Sequence, residues 1–328
     1  MRKRNDKGYL IGFLVASALV IAITAAIIAN FSVISDFIVG MHYQPSAAME
    51  QIRSELELTG RGKSIFNASQ PELMERVNFN EKCREVENEA AILGCYTDGK
   101  IYVYDISSDE LKGISELATA HELLHAVYAR MSQDERVRLV ESLTRVFDAN
   151  QEVLGEEINN YPVEQKQEEL YVRAGTEIKN LPDDLEKHYA EIFANQDKIV
   201  DFYESYISVF RGIEQRLEAL LQEIKNLQNE ITLKTASYEA GVGSLNVKIE
   251  EFNNCAKTMN CFSSTTEFNS QRSELIREQQ NLKTIYDEIS SLVSKYNELV
   301  KEYNENILHG QTLNMKINSS VNVEEVGD

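Results

Sequence analysis

The sequence predicts an α+β protein with one N-terminal transmembrane helix, a small mixed domain and a long antiparallel α-helical hairpin. Three observations support this: an uncharged apolar stretch near the N-terminus, a strand-like segment followed by amphipathic helices, and C-terminal heptad repeats. No proline after Pro182 interrupts the C-terminal helices. The formal net charge of -20, from 53 acidic and 33 basic residues, repels phosphate backbones. We therefore expect no nucleic-acid partner.

The N-terminal part predicts a single-pass anchor of the cell membrane. Residues 9–30 carry no charge, and a helix of that length spans about 30 Å, the thickness of a bilayer core. Basic residues lie just before this stretch, and the next ionisable side chain after it is Asp36. The positive-inside rule then predicts a cytoplasmic segment 1–8, a transmembrane signal-anchor 9–31 and an extracytoplasmic remainder. A cleaved signal peptide is the alternative, because the small residues at 16–18 are typical of a cleavage site.

Between the anchor and the repeats we expect a membrane-proximal segment, 32–62, and a compact domain, 63–199. Residues 60 and 62 are glycines that close a short membrane-proximal helix, and residues 64–66 are a candidate strand. The clearest strand is 99–106, which is rich in β-branched and aromatic residues. Helices are predicted from Ser108 or Ser115 to Arg130, over Gln133–Ala149, and over 164–174 after a break at Pro162.

The C-terminal part predicts an antiparallel coiled-coil hairpin over 200–310 and a flexible tail over 311–328. The polar, loop-like stretch 253–266 separates two runs, so we expect the runs to fold back on each other. Gly241 and Gly243 predict a kink in the first helix. A parallel dimer can use the same heptads, so self-association or another coiled-coil partner is the alternative. The heptad positions are Leu217, Ile224, Ile231, Tyr238, Leu245 and Phe252 in the first run, and Phe268, Leu275, Leu282, Ile289, Tyr296 and Tyr303 in the second.

The four cysteines predict disulfides, because an extracytoplasmic compartment is oxidising. Cys83 with Cys95 and Cys255 with Cys261 are the simplest local pairs, and neither has the C-x-x-C spacing of redox or zinc motifs. Four cysteines permit three pairings, and the sequence does not choose among them. Four free, buried thiols are the alternative interpretation.

One short motif in the helix after the clearest strand has the residues for metal chemistry: His121-Glu122-Leu123-Leu124-His125. Residues i and i+4 share a helix face, so both imidazoles can bind one metal ion. Glu122 then lies close enough to a zinc-bound water to take its proton. The chain has only five histidines, and burying two of them without partners in so apolar a helix is costly. The motif therefore predicts a zinc site, against the alternative of a coincidental surface helix.

The His121–His125 motif resembles the signature of the zincin metallopeptidases. Tyr128 and Met131 stand where the metzincin branch has a glycine and a third histidine, so the resemblance is to the gluzincin type. Small, membrane-anchored, minigluzincin-like bacterial proteins are similar over the compact domain. The resemblance implies that a strand just before the helix, here 101–104, receives the substrate by β-addition.

The resemblance also implies a glutamate on a downstream helix as the third zinc ligand. Glu169 is the choice, with Glu168 and Glu177 as alternatives, and a solvated helix face is the competing interpretation. Many gluzincins have an acid four residues after this ligand, where this chain has Arg173. His188 is a candidate catalytic residue that stabilises the oxyanion, as is its neighbour at 189; a structural pair on a helix is the alternative.

Together these features predict a membrane-anchored zinc metallopeptidase that hydrolyses peptide bonds of a peptide or protein substrate outside the cytoplasm. Glu122 is expected to activate a zinc-bound water. The alternative is a coiled-coil surface or envelope protein whose protease-like domain is inactive and serves structure or binding. A zinc-dependent amidase acting on cell-wall peptides is a third possibility.

Overall fold

The computed structural model describes residues 24, 31–83, 93–106 and 108–319, which are mostly helical with one three-stranded sheet. The predicted cytoplasmic segment 1–8, most of the predicted anchor 9–31, and residues 320–328 lie outside these ranges. Among the residues within them, no helix combines the length and the apolar character that crossing a membrane requires. The chain divides into two compact units, Met1–Val209 with Asn314–Asp328, and Phe210–Leu313.

Three short strands lie among the helices up to residue 189, and two long helices follow. In chain order the elements are α1 (Phe31–Gly40), α2 (Ala47–Glu55), α3 (Gly60–Ala68), β1 (Glu72–Met74), α4 (Arg76–Lys82), β2 (Gly94–Thr97), β3 (Lys100–Tyr104), a single 3-10 turn (Asp109–Leu111), α5 (Ile114–Arg130), α6 (Gln133–Ala149), α7 (Gln151–Asn160), α8 (Val163–Glu177), α9 (Asp183–Tyr189), α10 (Gln196–Ala256) and α11 (Thr265–Ile317).

The sheet has the order β1-β3-β2, with β1 parallel and β2 antiparallel to the central strand. Asp98 and Gly99 join β2 to β3 with φ angles of 51° and 75°, the positive values that a two-residue hairpin requires. The predicted substrate strand, 101–104, belongs to β3 and is paired on both sides. The expectation that it receives the substrate is therefore wrong, because its backbone groups are already used within the sheet.

Helix α5 is the centre of the first unit. It packs against β2 and β3 and also against α8, and its residues Leu123, Leu124 and Val127 are fully buried. Gly175 permits the close approach of α8, because a Cβ atom there would lie 2.6 Å from Leu124 Cδ1. A larger residue at this position would push α8 away from α5.

The region around residue 60 folds differently from the prediction. Gly60 begins α3 instead of closing a preceding helix, and residues 64–66 lie inside α3 instead of forming a strand. Thr59 caps this helix by accepting a hydrogen bond from the Gly62 amide at 3.1 Å. An isolated apolar triplet carries too little periodicity to distinguish a strand from one buried turn of a helix.

The structure joins Cys83 to Cys95 and Cys255 to Cys261, which are the local pairs of the simplest interpretation. The first disulfide links the end of α4 to β2, and the second lies where the chain passes from α10 to α11. The paired cysteines are 12 and 6 residues apart in the sequence.

Helices α10 and α11 pair antiparallel within the unit Phe210–Leu313. Rings contact each other across the pair at Tyr238–Tyr286 and Phe252–Phe268. Three ion pairs also join the two helices, and in them the residue numbers of α11 fall as those of α10 rise: Arg216–Glu302, Lys234–Glu288 and Lys248–Glu278. These surface ion pairs add little stability, so the apolar contacts between the helices contribute most of it.

Helix α10 is unbroken through Gly241 and Gly243, because a pair of helices packed side by side supports a helix that glycine alone only weakens. One expectation for this part differs from the structure. Over residues 311–319 the predicted flexible tail is wrong. Helix α11 extends to Ile317, which is buried, and the Met315 carbonyl accepts a hydrogen bond from Arg76 Nη2 at 3.0 Å.

The two glycines of α10 test the observed packing of the hairpin. Gly243→Ala should raise the free energy of unfolding by up to about 1 kcal/mol, because alanine is the better helix former and no atom lies within 4 Å of the new Cβ. Gly241→Ala should raise the free energy of unfolding by less, since its new Cβ would lie 2.6 Å from Leu282 Cδ2. Denaturant unfolding followed by circular dichroism measures both. Equal gains would contradict the observed contact between the helices.

Candidate metal centre

Two imidazoles and one carboxylate converge between α5 and α8. His121 and His125 lie on α5 and Glu169 lies on α8, with one ligand atom of each within 4.8 Å of the others. Glu169 Oε1 lies 3.7 Å from His121 Nε2, and its Oε2 lies 3.5 Å from His125 Nε2. Among the residues that the structure describes, this is the one group of three or more such side chains that could hold a metal ion.

Local helical geometry and close packing both build this group. The two imidazoles share a face of α5 because they are four residues apart, and their ring centroids lie 5.1 Å apart. Glu169 reaches them from α8, whose approach to α5 depends on Gly175. Its side chain is only 3% exposed, so water does not compete strongly for the carboxylate.

Glu168 contacts the other side of the His125 ring. Its Oε1 lies 2.9 Å from His125 Nδ1, which leaves His125 Nε2 directed towards Glu169. Metal-binding histidines typically donate their second ring N–H to a carboxylate in this way, which fixes the ring orientation and tautomer. Of the three glutamates considered for the third ligand, the structure thus places Glu169 at the group and Glu168 behind it.

Arg173 lies four residues after Glu169 on α8 and contacts two carboxylates. Its Nε donates to Glu169 Oε1 at 2.9 Å, and its Nη1 lies 3.1 Å from Glu177 Oε1. Glu177 is therefore paired with a guanidinium one turn further along α8. The guanidinium orients the Glu169 carboxylate and also shares one of its two oxygens.

Burial and neighbouring charges set the protonation of the group. Burial lowers the pKa of His121 to about 3, so this imidazole is neutral at pH 7. Burial opposes the charged form of His125 as well, but hydrogen bonds to Glu168 and Glu169 raise its pKa well above the usual value. Burial also opposes ionisation of Glu169, yet His121, His125 and Arg173 lower the pKa of its carboxyl to about 2. Metal binding to the metal-free protein must therefore displace a proton from His125.

Glu122 lies on the same helix, close to the edge strand β2. It is 6% exposed, and a Cβ atom on Gly94 would lie 2.6 Å from its Cγ and 2.9 Å from its Oε1. Glycine at the first residue of β2 therefore leaves the space that this carboxylate occupies. Gly94 is not among the residues predicted from the sequence, although a glycine in a strand often marks a close approach of another group.

The structure does not bring His188 or Tyr189 into the metal-binding group. His188 Nε2 lies 2.9 Å from the Tyr171 hydroxyl, and burial lowers the pKa of the His188 imidazole. Tyr189 is fully buried and donates its hydroxyl to the Tyr171 carbonyl at 2.6 Å. The oxyanion role considered for Tyr189 is therefore wrong, because this donor is already used in the core.

Alanine variants of three glutamates of α8 distinguish a residue that binds the metal ion from one that only orients a ligand. Glu169→Ala should abolish metal binding, because two imidazoles alone make an incomplete site. Glu168→Ala should weaken zinc binding by roughly 10- to 100-fold, the usual effect of removing the partner of a ligand imidazole. Glu164→Ala, in the first turn of the same helix, is the matched control and should change nothing. Competition with a chromophoric zinc chelator measures all three affinities, and equal losses for Glu168→Ala and Glu169→Ala would contradict this division of roles.

The assignment of this centre rests on its geometry. No protein-family model, curated protein or solved structure matches the chain. The residues that converge are those of the sequence motif together with one glutamate of a downstream helix, and they could hold a metal ion.

Proposed function

We propose that this protein is a membrane-anchored zinc metallopeptidase that hydrolyses peptide bonds on the extracytoplasmic side. One observation carries the proposal: His121, His125 and the buried Glu169 converge, while Glu122 lies on the same helix between the two histidines. This combination provides three ligands and a separate carboxylate that can transfer protons.

The donor set fits zinc. Two imidazole nitrogens and one carboxylate oxygen are the ligands of many catalytic zinc sites, and they leave a fourth position open. Hard cations such as calcium and magnesium favour sites made of oxygen ligands alone. His121 is already neutral, and Glu169 is already ionised, which are the forms that bind a metal ion.

Glu122 is the general base and acid of the proposed reaction. A zinc ion in this centre would polarise the scissile carbonyl and make water more acidic. Glu122 takes a proton from the attacking water and returns it to the leaving amine. Glu168 holds the His125 ring in place, and Arg173 holds the Glu169 carboxylate.

The edge of β2 is the proposed place for an extended substrate. β2 pairs with β3 along one edge, and no other strand within the described ranges pairs with its second edge. Such an edge can accept a peptide through backbone hydrogen bonds. Gly94 belongs to this strand and adjoins Glu122, so a peptide paired there passes beside the catalytic carboxylate.

The proposed location follows from the N-terminal sequence and the disulfides. Basic residues followed by the uncharged stretch 9–30 support a single-pass anchor with a cytoplasmic N-terminus. The disulfides Cys83–Cys95 and Cys255–Cys261 support an oxidising compartment for the remainder of the chain. In this proposal the α10–α11 hairpin binds a partner or a second copy of the chain.

A second candidate function is a coiled-coil surface protein whose protease-like domain is inactive. Arg173 favours it, because its guanidinium is hydrogen-bonded to the carboxylate oxygen that also lies nearest His121. A cation in that position competes with a metal ion for the ligand. A chain that binds zinc but cleaves nothing in a diverse peptide library would support this second candidate.

Glu122→Gln separates catalysis from metal binding. The variant should keep one zinc per chain and lose at least about 100-fold in hydrolysis, because glutamine cannot accept the proton of water. Glu116→Gln, in the first turn of the same helix, is the matched control and should remain active. Mass spectrometry of a peptide library measures cleavage, and elemental analysis measures zinc. Undiminished cleavage by Glu122→Gln would refute the proposed mechanism.

Gly94→Ala tests the space that β2 leaves for the catalytic carboxylate. The added methyl group should displace Glu122 and reduce hydrolysis by roughly 10-fold or more while zinc binding is unchanged, since a small displacement of a catalytic group is costly. Gly60→Ala is the control, because no atom lies within 4 Å of its new Cβ. Full activity of Gly94→Ala would show that Glu122 does not act from the observed position.

A further inference from the structure

Helix α1 exposes an apolar face. Phe37 and Met41, on this face, are 63% and 61% exposed. This surface, named here the α1 outer face, consists of Val33, Ile34, Phe37, Ile38 and Met41. Residues 33, 37 and 41 follow the i, i+4 and i+8 spacing of a single helix face, and residue 41 is the first residue after the helix.

Asp36 and Gly40 lie on the side of α1 that packs against the protein. Asp36 accepts two hydrogen bonds from the Arg130 guanidinium, at 2.9 and 3.0 Å. A Cβ atom on Gly40 would lie 3.0 Å from Asn67 Cβ of α3, so the two helices pack closely. A helix on a water-exposed surface has the reverse arrangement, with its apolar side against the core and its polar side outward.

The contacts of Arg130 fix α1 to the elements that form the metal centre. Arg130 is the last residue of α5, and it also donates to the Tyr96 hydroxyl of β2 at 3.1 Å and to the Ala126 carbonyl at 2.8 Å. Its side chain and that of Asp36 are 19% and 16% exposed, so the ion pair is largely shielded from water. Helix α1 is therefore a docked part of this unit.

We propose that the α1 outer face contacts the lipid of the bilayer, at the boundary between headgroups and acyl chains. Lipid is the occupant that the sequence favours, because the uncharged apolar stretch 9–30 comes directly before this helix. Amphipathic helices of this kind bury their apolar side in that boundary. Exposed apolar patches on proteins mark membrane or protein contacts, and this one is continuous along the chain with the proposed anchor.

The contact places the proposed active site at the membrane surface. Because Asp36 binds the end of α5, and Arg130 binds β2 through Tyr96, α1 positions both elements with respect to the bilayer. A substrate would then be cleaved close to the membrane. This inference depends on the anchoring part of the proposed function and not on the metal centre.

The absence of tryptophan from the chain permits a direct test. Single-tryptophan variants Phe37→Trp and Met41→Trp of the full chain, reconstituted in phosphatidylcholine vesicles, report the surroundings of the α1 outer face. Val163→Trp is the matched control, since this valine is 83% exposed and is followed by the polar Glu164 and Gln165. Tryptophan at 37 and 41 should show blue-shifted emission and lose most of its intensity with lipids brominated near the headgroup. Tryptophan at 163 should show neither effect.

Three results would overturn the proposal. Water-like, unquenched emission at both 37 and 41 would place the outer face in solvent. Blue-shifted emission without lipid quenching, together with disulfide crosslinking between copies of an Ile38→Cys variant, would show that a second copy covers the face. Release of the protein from the vesicles at high pH would show that the chain has no transmembrane anchor, on which the inference rests. The same quenching in a Glu169→Ala background is expected, so failure of the metal site and failure of the lipid contact are distinguishable.

Discussion

The close packing of α8 against α5 is the constraint on which the candidate centre depends. Helix α5 alone presents two imidazoles, and these cannot hold a metal ion firmly without a third ligand. Gly175 permits the two helices to approach, and that approach brings the buried Glu169 carboxylate within 3.5 Å of His125 Nε2. Leu124 of α5 and Tyr171 of α8 are fully buried, which makes this arrangement of the two helices costly to loosen. The stability of the core and the geometry of the ligands therefore both depend on the packing of α8 against α5.

Of the side chains around the candidate ligands, Glu168 favours metal binding, whereas Arg173 both orients Glu169 and competes with a metal ion for it. Glu168 supports His125 as carboxylates commonly support zinc-binding imidazoles. Arg173 both orients Glu169 and shares its oxygen, so it pre-organises the carboxylate while reducing the negative charge available to a metal ion. Hydrolysis by the zinc-loaded chain, and not zinc binding alone, distinguishes the active from the inactive interpretation of this domain. On the opposite side of α5, the Asp36–Arg130 pair connects the centre to α1 and its apolar outer face.

The parts of this account that follow from local spacing could be predicted from the sequence. His121, Glu122 and His125 depend only on helical periodicity, and the antiparallel hairpin depends on heptads. Glu169 required a resemblance, because its meeting with α5 is a tertiary contact. Strand order also depends on distant pairing, so the resemblance implied 101–104 as the substrate strand although β3 lies at the centre of the sheet. The contact between Gly94 and Glu122, and the direction of the α1 outer face, depend on packing in the same way.

X-ray absorption at the zinc edge of the zinc-loaded full chain tests the central claim most directly, because it reports which atoms bind the metal. We expect one zinc per chain with a first shell of nitrogen and oxygen at about 2.0–2.1 Å. We also expect the outer-shell scattering of two imidazoles, from His121 and His125. Scattering from a single imidazole, a sulfur shell at about 2.3 Å, or less than one bound zinc would contradict the account.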